Sequence, residues 1–198
     1  MREENKLINR AKSGESKAFG ELYDKHLSAI YRYIFLRVGG RKADAEDLAH
    51  QVFLSAWQNI KNYEFRGFPF SSWLYRIAHN ALIDHYRTEK IHLDIDKVPE
   101  SILVDSENLE GVIDQNFELE KVKVVLQKLE PDQQNVLIMK FVNDLSNKEI
   151  AEVLEKSEGA IRVIQHRAIK RIKSLLSAQG GSASGGEKNG GEDITTTV

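Results

Sequence analysis

Apolar positions recur along this chain at helical spacing, and nowhere do they alternate as a half-buried strand would require. Leu7, Ile8 and Ala11 predict a first helix ending near Gly14, and Ser16 then caps a longer one through Phe19, Leu22, Tyr23, Leu27, Ile30, Tyr31 and Ile34 to the Gly39-Gly40 stop. Asp44 is expected to cap a third helix, with Asp47 placed as in a capping box, turning Leu48, Val52, Phe53 and Ala56 inward. A loop over residues 59–69 leads to a fourth helix, capped by Ser71 or Ser72 and running to about Glu89. Four helices make one bundle-like domain, residues 1–90.

The pattern fails over residues 91–116, where Pro99 interrupts and acidic residues accumulate, so this segment reads as an extended or disordered linker. A second helical block occupies residues 117–178: one helix to Leu129, one with Pro131 in its first turn reaching about Val142, then two more. Residues 179–198 contain six glycines among Ser, Glu and Thr and read as a flexible tail. Its last residues, Thr-Thr-Val, resemble a PDZ ligand, but a frayed terminus is the simpler reading. The expected fold is all-α: an N-terminal four-helix bundle-like domain and a C-terminal helix-turn-helix domain joined by an acidic linker.

Composition narrows the chemistry. With 41% hydrophobic residues, the 198-residue chain can build real cores. No apolar run approaches the length of a membrane span, and the opening Met-Arg-Glu-Glu-Asn-Lys has no signal-like apolar stretch, so a cytoplasmic protein without membrane insertion is expected. The absence of cysteine excludes disulfides, thiolate zinc sites and a Cys nucleophile. The net charge of −2 conceals a division: residues 1–90 carry +4, 91–120 carry −8, 121–178 carry +4 and 179–198 carry −2. Two mildly basic blocks flanking an acidic connector suit nucleic acid.

Residues 62–87 concentrate the candidate chemistry, because aromatics crowd a Gly/Pro loop that runs directly into a helix bearing Arg and Asn. Aromatic faces stack on unpaired bases, Arg meets phosphates and Asn bonds base edges. At roughly 100° per residue, Arg76, Asn80, Asp84 and Arg87 form one stripe with Trp73 beside it, while Leu74, Ala78, Ala81, Leu82 and His85 form another. The plain alternative is a core helix preceded by a loop. Further on, residues 145–173 read as helix-turn-helix: Ser146 and Glu149 form a capping box, Ile150, Ala151 and Leu154 give an apolar face, and Ser157 caps the second helix. That helix sets Ile161, Ile164, Ala168, Ile172 and Leu175 against Arg162, His166, Lys170 and Lys173, with Gln165, Arg167 and Arg171 flanking. An ordinary amphipathic helix would need capping box, turn and cationic face to coincide by accident.

Together, the segments Ala11–Phe19, Asp44–Trp57, Phe70–Asn80, Ile83–Arg87 and this helix-turn-helix resemble bacterial RNA polymerase sigma factors of the extracytoplasmic-function class, over about residues 7–176. The resemblance implies a non-enzymatic factor without cofactor or metal that binds core RNA polymerase, recognises promoter DNA and melts the minus-ten element. It implies polymerase contacts by Asp44, Asp47 and Gln51, where acidic side chains also suit a helix N-terminus. Minus-ten contacts are implied for Phe65, Arg66, Phe70, Trp73, Arg76, Asn80 and Arg87, and minus-thirty-five contacts for Arg162, Gln165, His166, Arg167, Lys170 and Lys173. Asp84 would repel phosphates, so a salt bridge to Arg87 or Arg76 is its expected role, and Trp57 is expected to pack in the bundle. An anti-sigma factor is a further partner that such proteins often have. Many members carry Ser-Arg after the residue matching Arg162, whereas this chain has Val163-Ile164, which bears on the bases read.

Two other classes compete. A polymerase-independent helix-turn-helix regulator would keep the C-terminal domain but has no use for aromatics beside a basic stripe. A metal-dependent hydrolase built on His79, Asp84 and His85 fails on geometry, because on one helix these side chains diverge by about 100° or more.

Overall fold

The computed structural model describes residues 2–95 and 122–180, and among these the chain is helical with no strand. Helices α1 (Arg2–Lys12), α2 (Ser16–Arg37), α3 (Lys42–Asn59) and α4 (Phe70–Ile95) form the N-terminal unit, with a 3-10 turn at Ile60–Asn62. The C-terminal unit contains a helical stretch at residues 122–127, α5 (Pro131–Leu137) continued by a π turn (Ile138–Val142), α6 (Asn147–Val153) and α7 (Glu158–Gly180). Most of the expected linker and tail lies outside the described residues, but α4 continues to Ile95, past the expected start of the linker.

Helix α2 is the hub, packing against α1, α3, α4 and the π turn. Its buried Ala18, Leu22, Ile30, Tyr33 and Ile34 meet Ala45, Leu48, Val52, Phe53 and Ala56 of α3 and Leu74, Ala78 and Leu82 of α4. Each set follows the three- and four-residue spacing that keeps side chains on one helix face. Gly39 (φ 70°) and Gly40 (φ 87°) end α2, and both lie in the left-handed region open to glycine. Trp57 packs on Phe19 with centroids 5.0 Å apart, as expected.

Several expected caps fall elsewhere. Glu15 holds the α2 cap position and makes no side-chain cap bond, so Ser16 is the first helical residue. Arg41 precedes α3, and Asp44 instead pairs with the Arg41 guanidinium at 2.9 Å inside the first turn. Helix α4 starts at Phe70, and Ser71 and Ser72 lie within it. In each case packing set the entry of the helix one to three residues upstream of the residue with the best capping side chain. The helix-turn-helix follows its sequence signals: Ser146 and Glu149 form a reciprocal capping box, and Ser157 accepts the Ala160 N–H at 3.2 Å.

The two units share one apolar core and a buried polar seam. The Tyr33 hydroxyl donates to Asn135 at 3.0 Å, Arg37 donates to Gln134, and Asn143 donates to the Ala29 carbonyl at 3.1 Å. Arg37 is 8% exposed and stacks on Tyr86, whose hydroxyl donates to the Arg37 carbonyl. These bonds offset much of the cost of burying polar groups, about 1–3 kcal/mol for each one left unpaired, although Arg37 Nε and Asn143 Oδ1 have no partner.

Two half-buried histidines make this packing sensitive to acid. Burial lowers the His79 pKa, as does nearby Arg37, against the pull of Asp132. Burial also lowers that of His26, outweighing its 2.8 Å contact with Glu4. Both are therefore neutral in the fold while the unfolded chain takes up protons below about pH 6.5, so stability is complete above that pH and is lost as pH falls beneath it. Thermal melting from pH 7.5 to 5.5 should show a falling midpoint, each kcal/mol being about 2–4 °C in a chain of this size. The His26→Gln/His79→Gln double variant should flatten this dependence; an unchanged slope would place the sensitivity elsewhere.

Candidate nucleic-acid interface

The loop between α3 and α4 is braced from beneath by rings. Lys12 donates to the Tyr63 carbonyl at 2.8 Å, which fixes the start of the loop to α1. The Tyr63 ring meets Phe70 and Trp73 with centroids 5.2 and 5.1 Å apart, Phe70 lies 5.3 Å from Trp73, and His26 supports Phe70 from α2. Such tilted and edge-on pairs are favoured by the ring quadrupole. Gly67, at φ 82°, turns the loop over.

This arrangement corrects one expectation: Phe70 is only 2% exposed and forms part of the core. As the first residue of α4 its ring turns inward, where it supports the loop and cannot meet a base directly. Phe65, 59% exposed, and Arg66 instead reach solvent, Trp73 is half-buried, and Phe68 lies under the Lys148 ammonium at 5.5 Å. Loop and helix enclose a cavity of about 160 Å³ lined by Asn62, Arg66, Phe68, Ser72, Trp73 and Arg76 among others. The Ser72 hydroxyl is buried on this wall and has no hydrogen-bond partner. An aromatic wall, two guanidinium groups and an unsatisfied hydroxyl together suit a flat, polar-edged group such as an unstacked base.

Along α4, Asn80 and Arg87 are exposed, and Arg87 pairs with Asp84 at 3.0 Å, as expected. Arg76 is engaged from across the seam, held by Glu155 and lying 3.6 Å from Glu152. Asn80 also shares a groove of about 610 Å³ with Asp44, Asp47 and Gln51, floored by Leu48, Val52 and Ala81. Asp47 and Gln51 are exposed there, whereas Asp44 is half-buried against Arg41, which in turn bonds Glu89 at 2.6 Å. One groove thus brings together residues assigned separately from sequence to polymerase and to DNA.

The long helix α7 turns Ile161 and Ala168 into the core. Arg162, Val163, His166, Arg167, Lys170 and Lys173 are exposed, while Gln165 is half-buried on the flank. Arg162 pairs with Glu158 at 2.7 Å. Sequence reasoning gave no site role to Ser72, which it read only as a possible helix cap, nor to Glu152 or Glu155, and it singled out Val163 as a departure from the family pattern without giving it a contact. The first three gain meaning only from long-range contacts, but an apolar side chain on the polar face of α7 was visible as a break in its pattern. Among the described residues no three His, Asp or Glu side chains gather to hold a metal: His79 sits near the seam, Asp84 pairs with Arg87, and His85 lies 3.4 Å from Arg41. No helix among them is long and apolar enough to cross a membrane.

A bundle carrying this loop, followed by a helix-turn-helix, defines a protein of the sigma-70 type. Residues 22–91 match the family model for sigma-70 region 2, and residues 119–172 that for sigma-70 region 4. The chain is 35% identical over 181 residues to the ECF RNA polymerase sigma factor BldN of Streptomyces coelicolor, covering 86% of this chain and 64% of that protein. It is 31% identical over 180 residues to the ECF RNA polymerase sigma factor SigW of Bacillus subtilis, covering 86% of this chain and 95% of the relative. The structure resembles CnrH, solved in complex with the cytosolic domain of CnrY, with a TM-score of 0.67 and 26% identity over 87% of this chain and 96% of that one. The chain belongs to the ECF RNA polymerase sigma factors, proteins of promoter recognition and transcription initiation.

Glu155 is also strained. Its φ of 52° places a residue bearing a Cβ in the left-handed region at the end of α6, where glycine is usual, while Lys156 N–H closes the turn on the Ala151 carbonyl at 3.0 Å. The left-handed conformation costs about 1–2 kcal/mol, and a largely exposed ion pair returns about 0–1 kcal/mol. Glu155→Gly should therefore raise the melting midpoint by a few degrees, while Glu155→Ala, which keeps the strain and loses the pair, should not. Identical midpoints for the two variants would show that strain contributes nothing.

Proposed function

We propose that this chain binds core RNA polymerase through the exposed Asp47 and Gln51 face of α3, with Asp44 bracing that helix through Arg41. It captures unstacked minus-ten bases at the loop and contacts minus-thirty-five DNA through α7. The observation that carries this reading is the loop cavity, with Trp73, Arg66 and Arg76 around the unpartnered Ser72 hydroxyl and Phe65 exposed beside it. Phe65, Arg66, Trp73, Arg76, Asn80 and Arg87 are the minus-ten set, without Phe70. Arg162, Gln165, His166, Arg167, Lys170 and Lys173 are the minus-thirty-five set; on α7 Arg162 stands near the N-terminus and Lys170 and Lys173 further along, suiting base edges and phosphates respectively.

The chain acts without chemistry of its own, and in the cytoplasm, where polymerase and promoters are. Because Glu152 and Glu155 engage Arg76, the two units must separate there before phosphates reach it. An anti-sigma protein is a fitting partner for the closed arrangement; CnrH, of similar structure, is held by the cytosolic domain of CnrY. Run-off transcription with core polymerase on genomic fragments tests the whole reading: initiation at defined start sites should require the chain, and identical transcripts with and without it would refute the reading.

Two sets of variants test the assignments. Phe65→Ala and Asn80→Ala, both at exposed positions, should reduce open-complex formation on duplex promoters about 5- to 150-fold, the value of about 1–3 kcal/mol for a stacked base or a base-edge contact, and much less on pre-opened templates. Equal defects on both templates would argue against base capture. Asp47→Lys should weaken polymerase binding while circular dichroism shows unchanged helix content; normal binding by the folded variant would remove Asp47 from the interface.

A further inference from the structure

Val163 lies on the second turn of α7, 49% exposed, on a face that otherwise carries Arg162, His166, Arg167, Lys170 and Lys173. At roughly 100° per residue it stands about 140–160° from the buried Ile161 and Ala168, near the midline of the exposed face rather than at the margin of the core. The fold gives it no reward: it packs on nothing that defines the core, and a β-branched residue in an exposed helix is less favourable than alanine. A helix docked in a major groove by flanking cations turns its midline toward the base edges, with the N-terminal half deepest. The only apolar group that base edges present there is the 5-methyl of thymine.

We propose that Val163 is a specificity-determining residue that selects thymine at one upstream promoter position by apolar contact with its 5-methyl group. The inference rests on α7 being the upstream DNA-reading helix. It adds a contact that neither the cations nor Gln165 supplies, since Gln165 is half-buried on the flank of the helix.

The test uses holoenzyme assembled from the full chain and core polymerase, with duplexes randomised upstream of the start region. Wild type should enrich thymine at one upstream position, and replacing that thymine by deoxyuridine, which removes only the methyl, should weaken binding about 3- to 5-fold, the value of one buried methyl-sized group. Val163→Ala should lose the enrichment and the sensitivity to deoxyuridine, whereas Val163→Thr, which keeps a methyl, should retain most of both. Undiminished thymine preference and deoxyuridine sensitivity in Val163→Ala would overturn the proposal, as would the absence of any enriched thymine in wild type. Lys170→Ala separates the two levels: if it too leaves upstream binding unchanged, α7 is not the reading helix; if it weakens all sequences alike while Val163→Ala changes nothing, only the Val163 assignment falls.

Discussion

Arg37 sits where the two helical units meet, and its guanidinium is almost wholly removed from water. A buried cation is costly unless surrounded by acceptors and rings, and here Gln134 and the face of Tyr86 meet part of that need, leaving Nε without a partner, while Tyr33 and Asn135 close the seam beside it. Withdrawing one unit would leave these groups unpaired, so the seam fixes how α5 and the π turn lie on α2. That docking places α6 against α4, and every contact between the helix-turn-helix and the loop follows from it.

The consequence is unequal access for the two surfaces proposed to meet DNA. Helix α7 points its cations to solvent, whereas Arg76 is held by carboxylates of α6 and its loop cavity is partly walled by Glu152. These carboxylates occupy the charge position a phosphate would take, at the expense of a left-handed backbone at Glu155. The region proposed to take opened DNA is therefore the one the folded chain keeps partly covered. On the opposite side of α4, Asn80 and the acidic face of α3 share a groove, so the residues proposed for polymerase docking and for base capture line neighbouring walls of the same two helices.

How much was legible in the sequence depended on the range of the interaction. The helices, the capping box at Ser146 and Glu149 and the Asp84–Arg87 pair arise within a few residues, and the structure contains them as the pattern implied. Helix starts were misread at Ser16, Asp44 and Ser71 because the core, not the cap, decides where a helix enters a bundle. Phe70 was read as a base contact because composition shows an aromatic in a loop without showing which way its ring turns; only the rings of Tyr63, Trp73 and His26 around it decide that.

The sequence by itself determined an all-α chain with a helix-turn-helix, a second helix with a cationic face and an aromatic loop, because periodicity and capping are local and survive without tertiary information. The tertiary structure alone decided which aromatics face outward, that Ser72 lines a cavity without a partner, and that Glu152 and Glu155 reach across to Arg76. Those facts depend on contacts between residues far apart in the chain, and no local pattern encodes the direction in which two packed helices present their side chains to each other.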